Sequence, residues 1–203
     1  MANELARFGV QCRLIDKQRE RSKTSRAIAI LPRTIEVFDL MRVAEEFLAA
    51  GRRIHAINII SNGERIVRIG LNRLDSPYPF ALALPQDETE RLLENHLLRR
   101  GVAVERSKEL MALEQSEDGV DARIRIDGSR VETLHCDYLI GCDGVHSTVR
   151  HLLGMPFRGG SYKETVLLAD IRASGNHDRD EAQIFLNPNG LVLFFPMPED
   201  RYR

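Results

Sequence analysis

The segment from residue 138 to residue 154 constrains the fold most strongly. Residues 138–141 form a short apolar run, which is typical of a strand buried in a parallel sheet. Asp143 and Gly144 follow as a tight turn, and Ser147 stands where a side chain can cap a helix that ends at Gly154. Strand, turn and helix in this order predict an α/β fold. Asp143 would then lie at the carboxyl edge of a strand, where dinucleotides bind, although a plain Asp-Gly turn fits equally well.

The start of the chain has a related pattern. Residues 1–9 resemble the last turns of a helix, and residues 10–15 alternate like a strand that ends at Asp16. A carboxylate at this point of a dinucleotide-binding unit accepts hydrogen bonds from a ribose. The spacing alone favours an ordinary surface aspartate, because no G-x-G-x-x-G precedes it in this chain.

The remaining patterns predict a mixture of helices and short strands. Pro32 suits the first position of a helix, and Asp87 with Glu90 resembles a capping box for a helix that ends at Gly101. The Asn62-Gly63 pair predicts a two-residue hairpin turn. The predicted strands are residues 54–61, 64–69, 102–106, the meander at about 110–135, and residues 164–172, 182–186 and 191–195.

Composition restricts the partners. With 29 Lys and Arg against 30 Asp and Glu, the net charge of −1 gives no basis for nucleic acid or an anionic membrane as partner. A small molecule is the expected ligand. The three scattered cysteines suit a reducing compartment, so a cytoplasmic location is expected, with Cys142 as a small buried thiol. The six histidines have no metal-ligand spacing, so no metal site is predicted. Residues 17–30 form a predicted basic loop. Its charged part, residues 17–26, is either a solvated segment or a source of diphosphate donors, with Arg26 as the strongest candidate.

Residues 137–150 resemble the Asp-Gly motif of the single-component, class A FAD-dependent aromatic-ring monooxygenases, the group of p-hydroxybenzoate and phenol hydroxylases. Residues 4–16, 25–36 and 84–93 agree with the same family in order and spacing. The resemblance covers essentially the whole chain, although beyond about residue 160 it depends on pattern more than on motif.

The resemblance implies a Rossmann-like FAD-binding domain of the glutathione-reductase type that lacks its first strand and contains an inserted β-meander, together with part of a β-sheet substrate domain. Residues 1–54 and 81–156 would form the FAD-binding part, and residues 55–80 and 157–203 the substrate-binding part. The family's Gly-rich loop and a later flavin-contacting segment do not occur in the sequence, so a chain truncated at both ends is expected.

The resemblance also assigns residues to the cofactor. Asp16 would bind the adenosine ribose, Arg26 and Gln86 the diphosphate and ribityl region, and Asp143 would link flavin and nicotinamide binding. The remaining cofactor-binding candidates are Lys17, Arg91 and Gly144.

The implied reaction is reduction of FAD by NADPH or NADH, formation of a flavin hydroperoxide with O₂, and hydroxylation of a phenolic small molecule. FAD performs the difficult step, so no catalytic side chain is assigned. Two alternatives stay open: a related flavoprotein that acts on an isoprenoid or lipid, and a non-catalytic, truncated or split-gene remnant that needs a complementing segment. A homodimer is a further expected partner arrangement.

Overall fold

The computed structural model describes residues 1–160, 162–175 and 178–203. The chain forms two compact units. The first unit comprises Met1–Val10, Ser22–Arg100 and Val166–Arg203, and the second comprises Gln11–Arg21 and Gly101–Thr165. This division groups residues 22–54 and 81–100 with the later strands. The sequence-based division assigns parts of the chain to cofactor or substrate binding, whereas these two units are defined by packing. The predicted cofactor-binding and substrate-binding parts therefore stay a prediction.

The first unit contains short helices and short strands. Its helices are α1 (Ala2–Arg7), α2 (Pro32–Leu40), α3 (Ala44–Ala50), α4 (Gln86–Arg99) and the 3₁₀ turn Pro198–Asp200. Its strands are β2 (Ala29–Ile30), β3 (Arg52–Ile54), β4 (Ala56–Ser61), β5 (Glu64–Gly70), β6 (Ala81–Ala83), β11 (Ile171–Arg172), β12 (Glu181–Asn187), β13 (Gly190–Phe194) and β14 (Arg201–Tyr202).

Three sheets organise these strands. The largest has the order β13-β12-β4-β5, in which β12 and β4 are parallel and the other pairs are antiparallel. The predicted hairpin at Asn62-Gly63 is confirmed, since it joins β4 to β5. A three-stranded sheet has the order β2-β6-β3, and β11 pairs with β14. In the three-stranded sheet, β2 lies at the end of the predicted basic loop, so that Ala29–Ile30 are strand and the irregular part of the loop is shorter than predicted.

The core of the first unit explains why its helices form where they do. Ile35 and Phe38 lie on one face of α2 and pack with Phe47 of α3, so that the rings of Phe38 and Phe47 are 4.2 Å apart. Leu82 of β6 joins the same cluster. Burial of these side chains supplies most of the stability of such short helices. As predicted, Pro32 occupies the first turn of α2.

The second unit contains β1 (Leu14–Asp16), β7 (Val104–Arg106), β8 (Lys108–Ser116), β9 (Gly119–Ile126), β10 (Arg130–Cys136) and α5 (Thr148–Leu152). β1 and β7 are parallel, with Asp16 opposite Arg106. The predicted meander is confirmed, since β8, β9 and β10 form an antiparallel sheet. β8 packs against both β1 and α5.

Of the strands predicted for this part of the chain, one is shorter than predicted and one does not form. The predicted strand 10–15 is paired only over Leu14–Asp16, because its parallel partner β7 has three residues. Residues 138–141 are not a strand at all, and Tyr138 and Ile140 are 86% and 50% exposed. The described residues offer this run no neighbouring strand, and a strand without hydrogen-bonding partners is unstable in water.

Three further predictions are also corrected. The predicted strand 164–172 is reduced to Ile171–Arg172, which is the only part of it that finds a partner among the described residues. The helix predicted to begin with an Asp87 cap begins at Gln86, and Pro85 holds the extended cap position. Cys142 is exposed, because the run that precedes it is not buried in a sheet.

Candidate cofactor site

Asp16 ends β1 with its carboxylate partly satisfied. One carboxylate oxygen accepts a hydrogen bond from the Gln18 backbone N–H (2.9 Å), and the other accepts from the Arg106 guanidinium (2.7 Å). Its side chain is 36% exposed. A carboxylate has about four lone-pair sites, so acceptor capacity remains for a diol. The geometry therefore fits ribose binding, with Arg106 orienting the carboxylate.

An open cleft of about 620 Å³ lies beside this strand end in the second unit. Lys17 lines it, which places one predicted cofactor residue on the wall of a cavity. The cleft is formed by the turns after β1, between β7 and β8, and between β9 and β10. Its lining residues are Lys17, Arg19, Ser107, Glu109, Arg125, Asp127 and Gly128. Three cations and two carboxylates in this set give the cleft a small positive excess.

Asp143 caps the amino end of α5 from the preceding loop. Its carboxylate accepts hydrogen bonds from the Ser147 hydroxyl (2.5 Å) and from the backbone N–H groups of Thr148 (2.6 Å) and Val149 (3.2 Å). The predicted cap at Ser147 is confirmed, since its Oγ accepts from the Arg150 N–H (3.0 Å). Partial burial acts to raise the pKa of Asp143, but these hydrogen bonds outweigh it and hold the pKa below its ordinary value.

Two glycines shape the loop around Asp143. Gly144 has φ of +78°, a left-handed conformation that side chains with a Cβ disfavour. Gly141 lies so close to α5 that an added Cβ would come within 2.9 Å of the Val149 Cβ. The Asp-Gly motif therefore forms a tight loop folded back on its own helix.

Gln86 is joined to residues 25–27, in the part of the basic loop that belongs to the first unit. Its backbone N–H donates to Ser25 Oγ (2.8 Å), and its side-chain Oε1 accepts from the Ala27 N–H (3.4 Å). Its Nε2 donates to Glu90 (3.0 Å), four residues along α4. Ser25 thus accepts a hydrogen bond from the first helical N–H of α4, where the sequence predicts capping by Asp87. Arg26 is held between two tethered neighbours, with its own side chain exposed.

Arg203 is a further contact of this loop that sequence reasoning missed. Its Nη1 donates to Ser25 Oγ (3.3 Å) and to the carbonyl oxygens of Arg26 (3.1 Å) and Ala27 (3.2 Å). Its other edge binds both carboxylate oxygens of Asp170 (2.7 and 3.0 Å), which lowers the pKa of Asp170. No local signal distinguishes Arg203 from the other arginines, since its partners are remote in sequence.

Arg91, another predicted cofactor residue, is already paired with a carboxylate. Its guanidinium forms an ion pair with Glu88 one turn earlier on α4, with the nearest contact at 2.8 Å. That contact raises the pKa of Arg91. Arg91 is therefore already neutralised on its own helix, and a role in cofactor binding remains a prediction.

The structure thus distributes the candidates over the two units. Asp16, Lys17, Asp143 and Gly144 lie in the second unit, where β8 contacts β1, which ends at Asp16, and α5, whose amino end Asp143 caps. The first unit carries Arg26, Gln86 and Arg91. The described residues contain no group of three His, Cys, Asp or Glu side chains able to hold a metal ion. No helix in this part of the chain is long and apolar enough to cross a membrane.

A mixed α/β chain with an aspartate at a strand end, a second aspartate at a helix start and a basic loop tethered to a helix is consistent with nucleotide binding. Comparison with known proteins identifies the family, because the model of the FAD binding domain matches residues 1–198. The chain therefore belongs to this FAD-binding family of the class A aromatic-ring monooxygenases, whose cofactor is FAD.

Among curated relatives, the chain is 36% identical over 201 residues to 6-methylpretetramide 4-monooxygenase of Streptomyces rimosus, covering 98% of the chain and 36% of the relative. It is 31% identical over 206 residues to pentachlorophenol 4-monooxygenase of Sphingobium chlorophenolicum, covering 100% of the chain and 38% of the relative. The chain thus spans little more than a third of the length of these relatives.

A solved structure supports the fold. The p-nitrophenol 4-monooxygenase of Pseudomonas putida DLL-E4 superposes with a TM-score of 0.89 at 20% identity, covering all of this chain and 52% of that one. The chain therefore has the FAD-binding fold with mixed sheets that this class of enzymes shares.

Proposed function

We propose that the protein containing this chain is an FAD- and NAD(P)H-dependent monooxygenase that hydroxylates an aromatic, phenolic small molecule. The observation that carries the proposal is the family match over residues 1–198, together with relatives named for monooxygenation of chlorophenol and polyketide substrates. The electroneutral composition is consistent with a small organic ligand.

We assign the adenosine end of FAD to the second unit. Asp16 would accept hydrogen bonds from the ribose hydroxyls, and its remaining lone pairs support this role. Lys17 borders the cleft beside it and would provide a positive charge near the nucleotide. Asp143 and Gly144 would hold the loop that contacts flavin and nicotinamide.

We assign the diphosphate and ribityl portions to the loop at residues 25–27 and to Gln86 in the first unit. The exposed guanidinium of Arg26 suits a phosphate oxygen, because charge-assisted hydrogen bonds to phosphate are the strong ones. Gln86 keeps the loop in place through both its backbone and its side chain. Arg91 would contribute once its pairing with Glu88 is relaxed.

The chemistry that bound FAD supplies is acceptance of electrons from NADPH or NADH and activation of O₂. This chain's residues would bind and orient the cofactor and keep water from the reacting atoms, so no nucleophile or acid–base pair is required of them. As part of the proposal, the β1–β7 pair belongs to a Rossmann-like sheet.

The test uses the full-length protein. We expect it to purify with a yellow, flavin-containing spectrum and to oxidise NADPH or NADH faster when a phenol is added. A panel of phenols should be compared with non-aromatic alcohols of similar size, and mass spectrometry should detect product heavier by one oxygen atom. A protein that binds no flavin, or that shows no acceleration and no product with any phenol, would contradict the proposal.

A further inference from the structure

We propose that Arg203 is a positioning residue for the cofactor loop at residues 25–27, acting together with Asp170. The inference rests on the proposed function, because it assigns a purpose to the loop that carries Arg26. Neither Arg203 nor Asp170 belongs to the motifs that suggested a cofactor site. The buried guanidinium of Arg203 sets the shape of the loop before FAD binds.

The hydrogen bonds of Arg203 fix its orientation. One edge of its guanidinium donates to both carboxylate oxygens of Asp170, at 2.7 and 3.0 Å. The remaining nitrogen, Nη1, donates to the carbonyl oxygens of Arg26 (3.1 Å) and Ala27 (3.2 Å). The side chain is only 6% exposed. A planar fork bound at both ends has no alternative direction in which to point its donors.

The backbone of Arg203 is anchored as firmly as its side chain. Its N–H donates to the carbonyl of Phe195 (2.9 Å), and its carbonyl accepts from the Phe195 N–H (2.8 Å). Phe195 belongs to a buried cluster with Ile54 and Ala81. The guanidinium is therefore tied to the core of the first unit, and it can transmit that rigidity to a loop that lacks regular structure.

The result is a loop tethered on two sides. Arg203 holds the carbonyl oxygens of Arg26 and Ala27, and Gln86 accepts from the Ala27 N–H (3.4 Å). The Arg26 side chain stays exposed, whereas its carbonyl oxygen and both the N–H and the carbonyl oxygen of Ala27 are hydrogen-bonded within the protein. Ordering a loop in advance removes an entropic cost from ligand binding. Lysine cannot reproduce this arrangement, because one ammonium group cannot span a carboxylate and two carbonyls in a fixed fork.

The experiment compares Arg203→Ala and Arg203→Lys with wild type in the full-length protein. Arg179→Ala is the matched control, because Arg179 pairs with Asp200 on the exposed surface of the same unit. Hydrogen exchange of residues 22–28 is measured in the FAD-free protein, and the FAD dissociation constant is measured by flavin fluorescence. For both Arg203 variants we expect faster exchange at the Ala27 amide and FAD binding weakened about 10- to 100-fold.

The control should leave both measurements within about twofold of wild type. Unchanged loop exchange or an unchanged FAD dissociation constant in Arg203→Lys would overturn the positioning role. If Arg203→Ala fails to fold, Arg203→Lys carries the same comparison, because it retains charge and bulk. If wild type itself holds no FAD, the proposed function fails instead, and exchange at residues 25–27 alone then decides whether Arg203 orders the loop.

Discussion

Replacing Asp143 separates a structural role from a cofactor role. Asp143→Ala removes the acceptor for Ser147 Oγ, the Thr148 N–H and the Val149 N–H at the start of α5. Loss of a helix cap costs about 1–2 kcal/mol, and the partial exposure of Asp143 favours the lower half of that range. For a chain of this size, a loss of about 1–1.5 kcal/mol lowers the melting temperature by about 2–6 °C.

Asp143→Asn distinguishes the two roles. An asparagine oxygen can still accept from the helix amides, so the expected loss of stability is below about 1 kcal/mol. If Asp143 also acts on the cofactor through its charge, this variant should bind FAD about tenfold more weakly in spite of its stability. Ser147→Ala is the control for capping alone, because it removes the hydrogen bonds of Ser147 Oγ to the Arg150 N–H and to Asp143 but leaves the carboxylate in place.

The assays are thermal unfolding and FAD retention in the full-length protein. The folded pKa of Asp143 is lowered, so its stabilisation is complete above the unfolded pKa of about 3.9 and disappears as the pH falls through the folded value. The difference between wild type and Asp143→Ala should therefore shrink in acid. Normal FAD affinity in Asp143→Asn would restrict Asp143 to a capping role. A melting temperature unchanged in Asp143→Ala would refute the capping argument itself.

Two further predictions test the stability of each unit. Glu105 accepts from Arg13 (2.6 Å) and contacts Lys108, and these partners hold the pKa of Glu105 at about 2. Glu105→Gln should lower the free energy of unfolding by about 1–2 kcal/mol at pH 7. In urea denaturation, the difference from wild type should disappear as the pH falls from about 4.5 to about 2, and a pH-independent difference would contradict this. Phe47 is fully buried and packs against Phe38. By the same assay, Phe47→Ala should lower the free energy of unfolding by about 3–5 kcal/mol, and Phe47→Leu should lower it much less, because leucine leaves a smaller cavity. Equal losses in the two variants would exclude a cavity as the cause.

The sequence predicted those parts of the fold that depend on local chemistry. The turn at Asn62-Gly63, the position of Pro32 and the cap at Ser147 are each decided by one or two residues, and each is confirmed. The three strands of the meander follow from alternation and from Asp-Gly turns. These features need no knowledge of what packs against them.

The wrong predictions share a dependence on a remote partner. The run at residues 138–141 has the composition of a buried strand, but a strand also needs a neighbour to receive its hydrogen bonds. The start of α4 was placed at an Asp87 cap because a serine 61 residues earlier is invisible to local pattern. Arg203 was missed for the same reason, since its contacts with Arg26 and Ala27 span more than 170 residues.

The hydrogen bonds of the candidate residues indicate where binding free energy would arise. Asp143 already accepts from three donors, and Asp16 accepts from Gln18 and Arg106. Contacts from a cofactor would replace existing hydrogen bonds of Asp143, and at the remaining lone pairs of the partly exposed Asp16 they would replace hydrogen bonds to solvent. An exchanged hydrogen bond contributes little net free energy. The exposed guanidinium of Arg26 would instead gain a phosphate partner on a loop whose backbone is already ordered. The aspartates are therefore expected to determine geometry, and the tethered basic loop to determine affinity.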